Sequence, residues 1–154
     1  ITGSILAKYE AAFAVIPLLV TFIPMLTDTG GNAGSQSSTM IIRGMAVGEI
    51  EAGDILRVLW KELRVGVIVG VLLGLVNYIQ LVIRFPGQEM LCLTVVLSLL
   101  ATVMLAKTIG CVLPIAAQVL HLDPAIMAAP LITTIVDAVS LIIYFQLACS
   151  LLSI

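Results

Sequence analysis

Charged residues are scarce in this chain: they make up 10% of its 154 residues, and the formal net charge is only −2. No basic run is present, so nothing in the sequence indicates nucleic acid as a partner. The cysteines Cys92, Cys111 and Cys149 are widely spaced in apolar segments, which is neither a disulfide framework nor a zinc pattern. The amino end lacks the basic region, apolar region and cleavage site of a signal peptide. We therefore expect the chain to begin inside a larger protein.

Apolar residues make up 61% of the chain, and the mean hydropathy is +1.23. These values lie far outside the usual range of soluble domains, so the sequence predicts an integral membrane protein. No alternation typical of barrel strands is present, which favours an all-α fold. We predict a single domain over residues 1–154, a polytopic bundle of about four transmembrane helices. The predicted spans are residues 10–27, 65–83, 90–120 and 125–153.

Residues 49–64, which precede the second predicted span, form an amphipathic pattern. The charged face of this pattern carries Asp54, Arg57, Lys61 and Arg64. Trp60 lies on the apolar face, and such a tryptophan is typical of the headgroup level of a membrane. We therefore predict a helix on the membrane surface here, with a soluble linker helix as the alternative.

Glycine occurs in two patterns with different predicted meanings. Within the second span, Gly66, Gly70 and Gly74 form a GxxxGxxxG pattern that lets another helix approach closely. After the first span, residues 27–39 read TDTGGNAGSQSST, a run of glycines and small polar residues that predicts a loop. We expect the first pattern to be a helix-packing face and the second to be non-helical.

Prolines interrupt two of the predicted spans. Pro17 and Pro24 predict a kink in the first helix, and Pro114 predicts a kink or break in the third. Lys107 also lies in the third span. It is expected either to reach a membrane interface or to contact a polar pathway.

The basic residues are distributed unevenly between the connections, which predicts the topology. The connection over residues 28–64 holds four of them, whereas the connection over residues 84–89 holds only Arg84. Cytoplasmic connections carry an excess of lysine and arginine, so residues 28–64 should be cytoplasmic. Four crossings then place both ends outside, which again implies a preceding span.

Asp137 is the only acid well inside a predicted span, near the centre of residues 125–153. A carboxylate at that depth costs about 2.5 to 3.5 kcal/mol on insertion scales, so it normally faces protein, water or a cation. Helical spacing places several residues on or beside its face: Pro130, Thr133, Thr134, Ser140 and Tyr144. This polar stripe in an apolar helix is the leading candidate for a functional site.

Enzymatic chemistry finds little support in these residues. Intramembrane aspartyl proteolysis needs paired aspartates, and no GxGD sequence occurs in the chain. His121 has no GxSxG serine with which to form a catalytic triad. The sequence therefore favours a channel or transporter over an enzyme.

A cation pathway needs an acid, exposed oxygens and packing that excludes lipid. The glycine-rich segment supplies carbonyls around Gly31, while Asn32 and Gln36 are suited either to contact an ion or to cap the following helix. A twofold dimer with the pathway on its axis would bring two Asp137 carboxylates together, which matches a divalent ion. Oxygen ligands of this kind suit magnesium, manganese or calcium. Thr133 and Thr134 are expected to orient the waters of a hydrated ion.

Four strings of residues resemble the bacterial MgtE-type magnesium channels, in the family's order and at similar spacing. They are TGGNAGSQ at 29–36, GCVLP at 110–114, LDPA at 122–125 and PLITTIVDAVSL at 130–141. The resemblance implies a homodimer in the bacterial plasma (inner) membrane, with the pore on its twofold axis. It also implies passage of Mg²⁺, and of Mn²⁺, Co²⁺ and similar ions, into the cytoplasm without any cofactor.

The resemblance also assigns roles to individual residues. Asp137 matches the acid that binds the ion in the pore, and Asp123 matches an acid near the cytoplasmic end. Most of the family's first helix and its cytoplasmic amino-terminal and CBS domains are absent here, and we expect them in the full-length protein. Ala129 and Lys107 stand where relatives can have asparagine, which would change the cytoplasmic half of the pathway.

Two alternatives to a channel stay open at this point. A secondary carrier would use Asp137 to couple Mg²⁺ transport to sodium or proton exchange. A membrane-embedded interaction subunit would instead pair Asp137 with a cation such as Lys107 and would transport nothing.

Overall fold

The computed structural model describes residues 2–10, 14, 16–127 and 129–153. These residues form five α-helices and three short 3₁₀ helices, with no strand among them. The α-helices are α1 (Thr2–Lys8), α2 (Ile23–Ala46), α3 (Ile55–Arg84), α4 (Glu89–Val119) and α5 (Ala129–Leu152). The 3₁₀ helices are Pro17–Phe22, Ala52–Asp54 and Pro124–Met127. The structure thus confirms the predicted all-α fold over the part it describes.

Among the residues that the structure describes, three helical segments are long and apolar enough to cross a membrane. They are Ala52–Arg84, Glu89–Val119 and Pro130–Leu152. Each of the last three predicted spans overlaps one of these segments, which confirms a helical membrane protein. The first predicted span, 10–27, includes residues 11–13 and 15, which lie outside the described residues.

The predicted loop over residues 27–39 is wrong, because this segment lies inside helix α2. Pro24 occupies the first turn of α2, where a proline costs no hydrogen bond and favours a helix start. The hydroxyls of Thr27 and Thr39 donate to backbone carbonyls four residues earlier, at 3.1 and 2.8 Å. Glycine lowers helix propensity, but α2 packs along both α4 and α5, and this tertiary packing stabilises the helix.

The predicted surface helix over residues 49–64 is not a separate element. Its last ten residues are the first turns of α3, which continues without interruption into the second predicted span. No glycine or proline separates the amphipathic and apolar parts, so nothing ends the helix between them. The exposed residues Arg57, Lys61 and Arg64 therefore lie near one end of a helix that is long and apolar enough to span a membrane.

The GxxxGxxxG face packs against α4, as the spacing predicts. Gly66, Gly70 and Gly74 are all buried. A Cβ atom at Gly70 would lie 2.6 Å from Leu100 Cδ1, and one at Gly74 would lie 3.1 Å from Val96 Cγ1. The absence of side chains at these positions therefore sets the distance between α3 and α4.

Helix α4 is the centre of the bundle, because it packs against α2, α3 and α5. It runs unbroken from Glu89 to Val119 with Pro114 inside it, so of the predicted kink or break the break does not occur. Its buried residues belong to three apolar clusters. The first also contains buried residues of α2, α3 and α5, the second of α2 and α5, and the third of α2. The fold thus holds α2 and α5 side by side against one face of α4.

Tyr144 ties the 3₁₀ helix Pro17–Phe22 to α5. Its ring is fully buried, and its hydroxyl donates a hydrogen bond of 2.9 Å to the carbonyl oxygen of Leu19. We expect Tyr144→Phe to lower the free energy of unfolding by about 1 kcal/mol, since it leaves a buried carbonyl without its donor. Titration with a denaturing detergent, followed by circular dichroism, measures the change. Tyr78→Phe is the control, because that hydroxyl has no partner within the described residues; equal losses in both variants would contradict the assignment.

Candidate cation-binding site

A cavity of about 350 Å³ lies between α2 and α5. Its lining combines two carboxylates, an amide and two hydroxyls with a glycine and a proline. These residues are Pro24, Thr27, Asp28, Gly31 and Asn32 on α2, and Thr133 and Asp137 on α5. Oxygen atoms therefore dominate its polar surface, which suits hard divalent cations.

Asp28 and Asp137 place two negative charges on this one cavity. Asp28 lines the cavity from α2, and Asp137 lines it from α5. Within the described residues, neither carboxylate forms an ion pair or accepts a hydrogen bond. Two unpaired acids facing one polar space attract a cation, because a bound cation relieves their mutual repulsion and offsets the partial burial of Asp137.

Close packing of α2 on α5 brings these acids together. Gly31 lies so near α5 that a Cβ atom there would be 3.2 Å from Thr133 Cγ2 and 4.0 Å from Asp137 Oδ1. Gly30, on the adjacent face, would place a Cβ atom 2.9 Å from Val136 Cγ1. Glycines at these positions therefore let α2 approach close enough for Asp28 and Asp137 to share the cavity.

Four of the residues predicted from the sequence meet at this cavity: Gly31, Asn32, Thr133 and Asp137. Gly31 does so as part of a helix, so its carbonyl is not the loop ligand that the sequence predicted. The Thr133 hydroxyl donates a hydrogen bond of 3.1 Å to the carbonyl oxygen of Pro130. The lone pairs of the Thr133 hydroxyl oxygen therefore stay available to a water or an ion.

The other predicted site residues lie elsewhere. Thr134 is exposed and donates to the carbonyl of Pro130, while Ser140 is buried and donates to the carbonyl of Val136. Gln36 is exposed on α2, one turn beyond Asn32. Asp123 is exposed in the α4–α5 connection, where its Oδ1 accepts a hydrogen bond of 2.9 Å from the backbone of Ala125. None of these four residues lines the cavity.

Asp28 was not predicted as a site residue, although a signal for it was present. It stands one position before the TGGNAGSQ string, and a loop there gives it no defined direction. Once residues 23–46 form a helix, Asp28 lies three and four residues before Gly31 and Asn32, on the same face. Asp28 was therefore missed because residues 27–39 were predicted to be a loop and not part of a helix.

An exposed polar stripe runs along α2 beyond the cavity. It consists of Asp28, Asn32, Gln36 and Arg43. The first three are spaced four residues apart, so they occupy one face of the helix. Asp28 shares its cavity with Asp137, which lies within the candidate span Pro130–Leu152, so this face would be costly in contact with lipid.

A second polar cluster lies within the bundle, where Ser37, Glu62 and Lys107 connect α2, α3 and α4. Lys107 Nζ lies 3.2 Å from Glu62 Oε2 and donates to Ser37 Oγ at 3.2 Å. Ser37 Oγ in turn donates to Glu62 Oε2 at 2.5 Å. Lys107, the example given for the cation of the interaction-subunit alternative, is therefore paired with Glu62 and not with Asp137. Lys107 is enclosed by the bundle, since its side chain is only 7% exposed.

Comparison with known proteins gives a consistent family assignment. Residues 23–147 match a family model described as MgtE, divalent cation transporter. The chain is 35% identical over 152 residues to the magnesium transporter MgtE of Thermus thermophilus, covering 99% of this chain and 33% of that protein. It is 35% identical over 148 residues to the magnesium transporter MgtE of Bacillus subtilis, covering 96% of this chain and 33% of that protein. The chain thus spans about a third of the length of the relatives it matches.

Proposed function

Because the chain belongs to the MgtE family of divalent cation transporters, we propose that it forms a channel for divalent cations, with Mg²⁺ as the main substrate. The family is one of membrane transporters, which confirms the expectation that this protein is not an enzyme. The supporting observation is the cavity that Asp28 and Asp137 share. Ions would pass it down their electrochemical gradient, across the bacterial plasma membrane and into the cytoplasm.

The charge and size of the cavity suit a hydrated ion. Within the described residues, no group of three or more acids, histidines or cysteines is placed to ligate a metal directly. Mg²⁺ loses its water reluctantly and is commonly held by one or two carboxylates with several waters retained. Two carboxylates in a space of about 350 Å³ match this mode of binding. The same oxygen ligands would accept Mn²⁺ or Ca²⁺.

The exposed polar stripe of α2 supports a homodimer with a water-filled pathway between its two copies. Polar side chains at membrane depth normally face a protein partner or an aqueous cavity. A second copy related by a twofold axis would present the same stripe, and the two stripes would enclose a polar passage. Asp28 and Asp137 of both copies would then line that passage.

Asp123 and the remaining predicted residues have roles that extend this proposal. Asp123 lies in the connection after α4, at the same end of the bundle as the start of α3, and would attract ions at the cytoplasmic mouth. Gln36 would line the passage beyond the cavity, since it belongs to the exposed stripe. In the full-length protein, cytoplasmic amino-terminal and CBS domains would regulate opening.

Mg²⁺ influx into proteoliposomes tests the proposal. We expect Asp137→Ala and Asp28→Ala each to reduce influx at low Mg²⁺ by roughly 10- to 100-fold, the effect of losing one charge-assisted interaction with the ion. Asp137→Asn should lie between the parent and Asp137→Ala, because its amide oxygen still binds water but carries no charge. A fluorescent Mg²⁺ indicator trapped inside the vesicles measures the rate.

Glu89→Gln is the matched control, because it removes an exposed acid at the start of α4, away from the cavity. It should conduct like the parent. Parent-level influx in both Asp137 variants would refute the proposed site. Influx that requires a sodium or proton gradient would instead favour the coupled carrier.

A further inference from the structure

A second and larger cavity, of about 750 Å³, lies where the end of α2 meets the start of α3. We call it the basic cavity because four cations line it: Arg43, Arg57, Lys61 and Arg64. Its acidic lining residues are Glu49, Asp54 and Glu62. It is separate from the cavity of Asp28 and Asp137, since the two have no lining residue in common.

The acids of the basic cavity do not balance its cations. Glu62 is already paired with Lys107, which leaves only Glu49 and Asp54 among the lining acids to offset four cations. Among the described residues, none of the four cations forms an ion pair with any acid. The lining therefore carries an excess of positive charge that attracts an anion.

The apolar surroundings of the basic cavity distinguish a lipid from a soluble anion. Trp60 lines the cavity with 62% of its surface exposed, and Leu56, one turn earlier, is 77% exposed. The Arg64 guanidinium lies 5.9 Å from the centre of the Trp60 ring. The exposed apolar surface continues along α3 through Ile68 and Leu72 into the membrane-spanning part. A ligand with an anionic headgroup and long apolar chains matches a basic cavity that is continuous with an exposed apolar helix face.

We propose that the basic cavity binds the phosphate headgroup of an anionic phospholipid, whose acyl chains lie along the exposed face of α3. The four cations hold the phosphate, and Trp60 contacts the boundary between headgroup and chains. The distribution of positive charge places this end of the bundle at the cytoplasmic leaflet, where anionic lipids are recognised by basic pockets between helices. This binding does not depend on the proposed cation pathway.

Trp60 provides a direct measurement, because it is the only tryptophan of the chain. The purified protein is reconstituted in mixtures of phosphatidylcholine and phosphatidylglycerol, with bromine on the acyl chains of one lipid at a time. Bromine quenches a neighbouring tryptophan, so the two quenching curves give the preference for one lipid over the other at the basic cavity. We expect brominated phosphatidylglycerol to quench Trp60 more strongly than brominated phosphatidylcholine at equal mole fraction.

The double variant Arg57→Gln, Lys61→Gln tests which side chains supply the preference. We expect its preference for phosphatidylglycerol to fall by about 25-fold, since each basic residue near an anionic headgroup contributes about fivefold. Arg43→Gln, on a different helix, should lower the preference by about fivefold. Arg84→Gln, at the opposite end of α3, should leave it unchanged. All of these arginines and Lys61 are exposed, so folding should survive each change, and circular dichroism checks this.

Three outcomes would overturn the proposal. Equal quenching by the two brominated lipids would show that the cavity does not select an anionic headgroup. An undiminished preference in both the Arg57→Gln, Lys61→Gln variant and Arg43→Gln would show that these cations do not supply it. Relief of the quenching by inorganic phosphate, beyond the effect of chloride at equal ionic strength, would identify a soluble phosphate compound as the ligand instead.

Discussion

Replacing Lys107 by methionine should destabilise the protein by about 3 to 5 kcal/mol, because it leaves the Glu62 carboxylate buried without its cation. The ammonium and carboxylate groups are 3.2 Å apart, and their side chains are 7% and 6% exposed. Water therefore cannot replace the lost partner. Methionine nearly preserves the length of the lysine, so the change removes the charge and creates little empty space. Unfolding by a denaturing detergent, followed by circular dichroism, measures the loss.

A double-mutant cycle separates the ion pair from other effects of the substitution. Adding Glu62→Gln to Lys107→Met removes the stranded charge, and we expect it to restore much of the lost stability. Lys61→Met is the matched control, since that lysine is exposed one residue from Glu62 and should change stability by less than about 0.5 kcal/mol. If the change in the free energy of unfolding of the double variant equals the sum of the changes in the two single variants, the ion pair contributes nothing specific to the fold.

The helices were predictable where the apolar pattern was long, and unpredictable where packing overrides local propensity. Gly66, Gly70 and Gly74 sit in an apolar run, so their four-residue spacing indicates a packing face directly. The glycines of residues 27–39 sit among polar residues, so local propensity predicts a loop. They become helical only because α4 and α5 cover them, and a single sequence does not show that contact.

The residues of the candidate site likewise differ in whether the local sequence predicts them. Asp137 was predictable from its sequence alone, because a carboxylate in a membrane span carries a known cost. Asp28 was not, since its position on the cavity depends on α2 being a helix. The partnership of Glu62 with Lys107 joins residues 45 apart in sequence, and no local pattern encodes such a contact. The amphipathic pattern assigned the start of α3 to the membrane surface, although Glu62 itself is buried.

A methyl group at Gly110 should disrupt the bundle, because Gly110 of α4 packs directly against the backbone of α2. A Cβ atom there would overlap the carbonyl oxygen of Gly34 and would lie 3.1 Å from Ser37 Cβ. The obstructing atom belongs to helical backbone, so it has no rotamer by which to move aside. The two helices would have to separate, which also draws Ser37 away from Glu62 and Lys107. We expect Gly110→Ala to cost about 3 kcal/mol, the upper range for overpacking.

Gly53→Ala is the matched control for this substitution. A Cβ atom at Gly53 would meet no other atom within 4 Å, and the residue lies in the exposed 3₁₀ helix Ala52–Asp54. Since alanine restricts the unfolded chain more than glycine, this change should leave stability unchanged or raise it by less than about 1 kcal/mol. Detergent unfolding of both variants gives the comparison. If Gly110→Ala unfolds at the same detergent concentration as the parent and Gly53→Ala, then α2 and α4 do not need close contact at Gly34. In that case the packing that brings α2 against α5, and Asp28 to Asp137, has more freedom than the structure indicates.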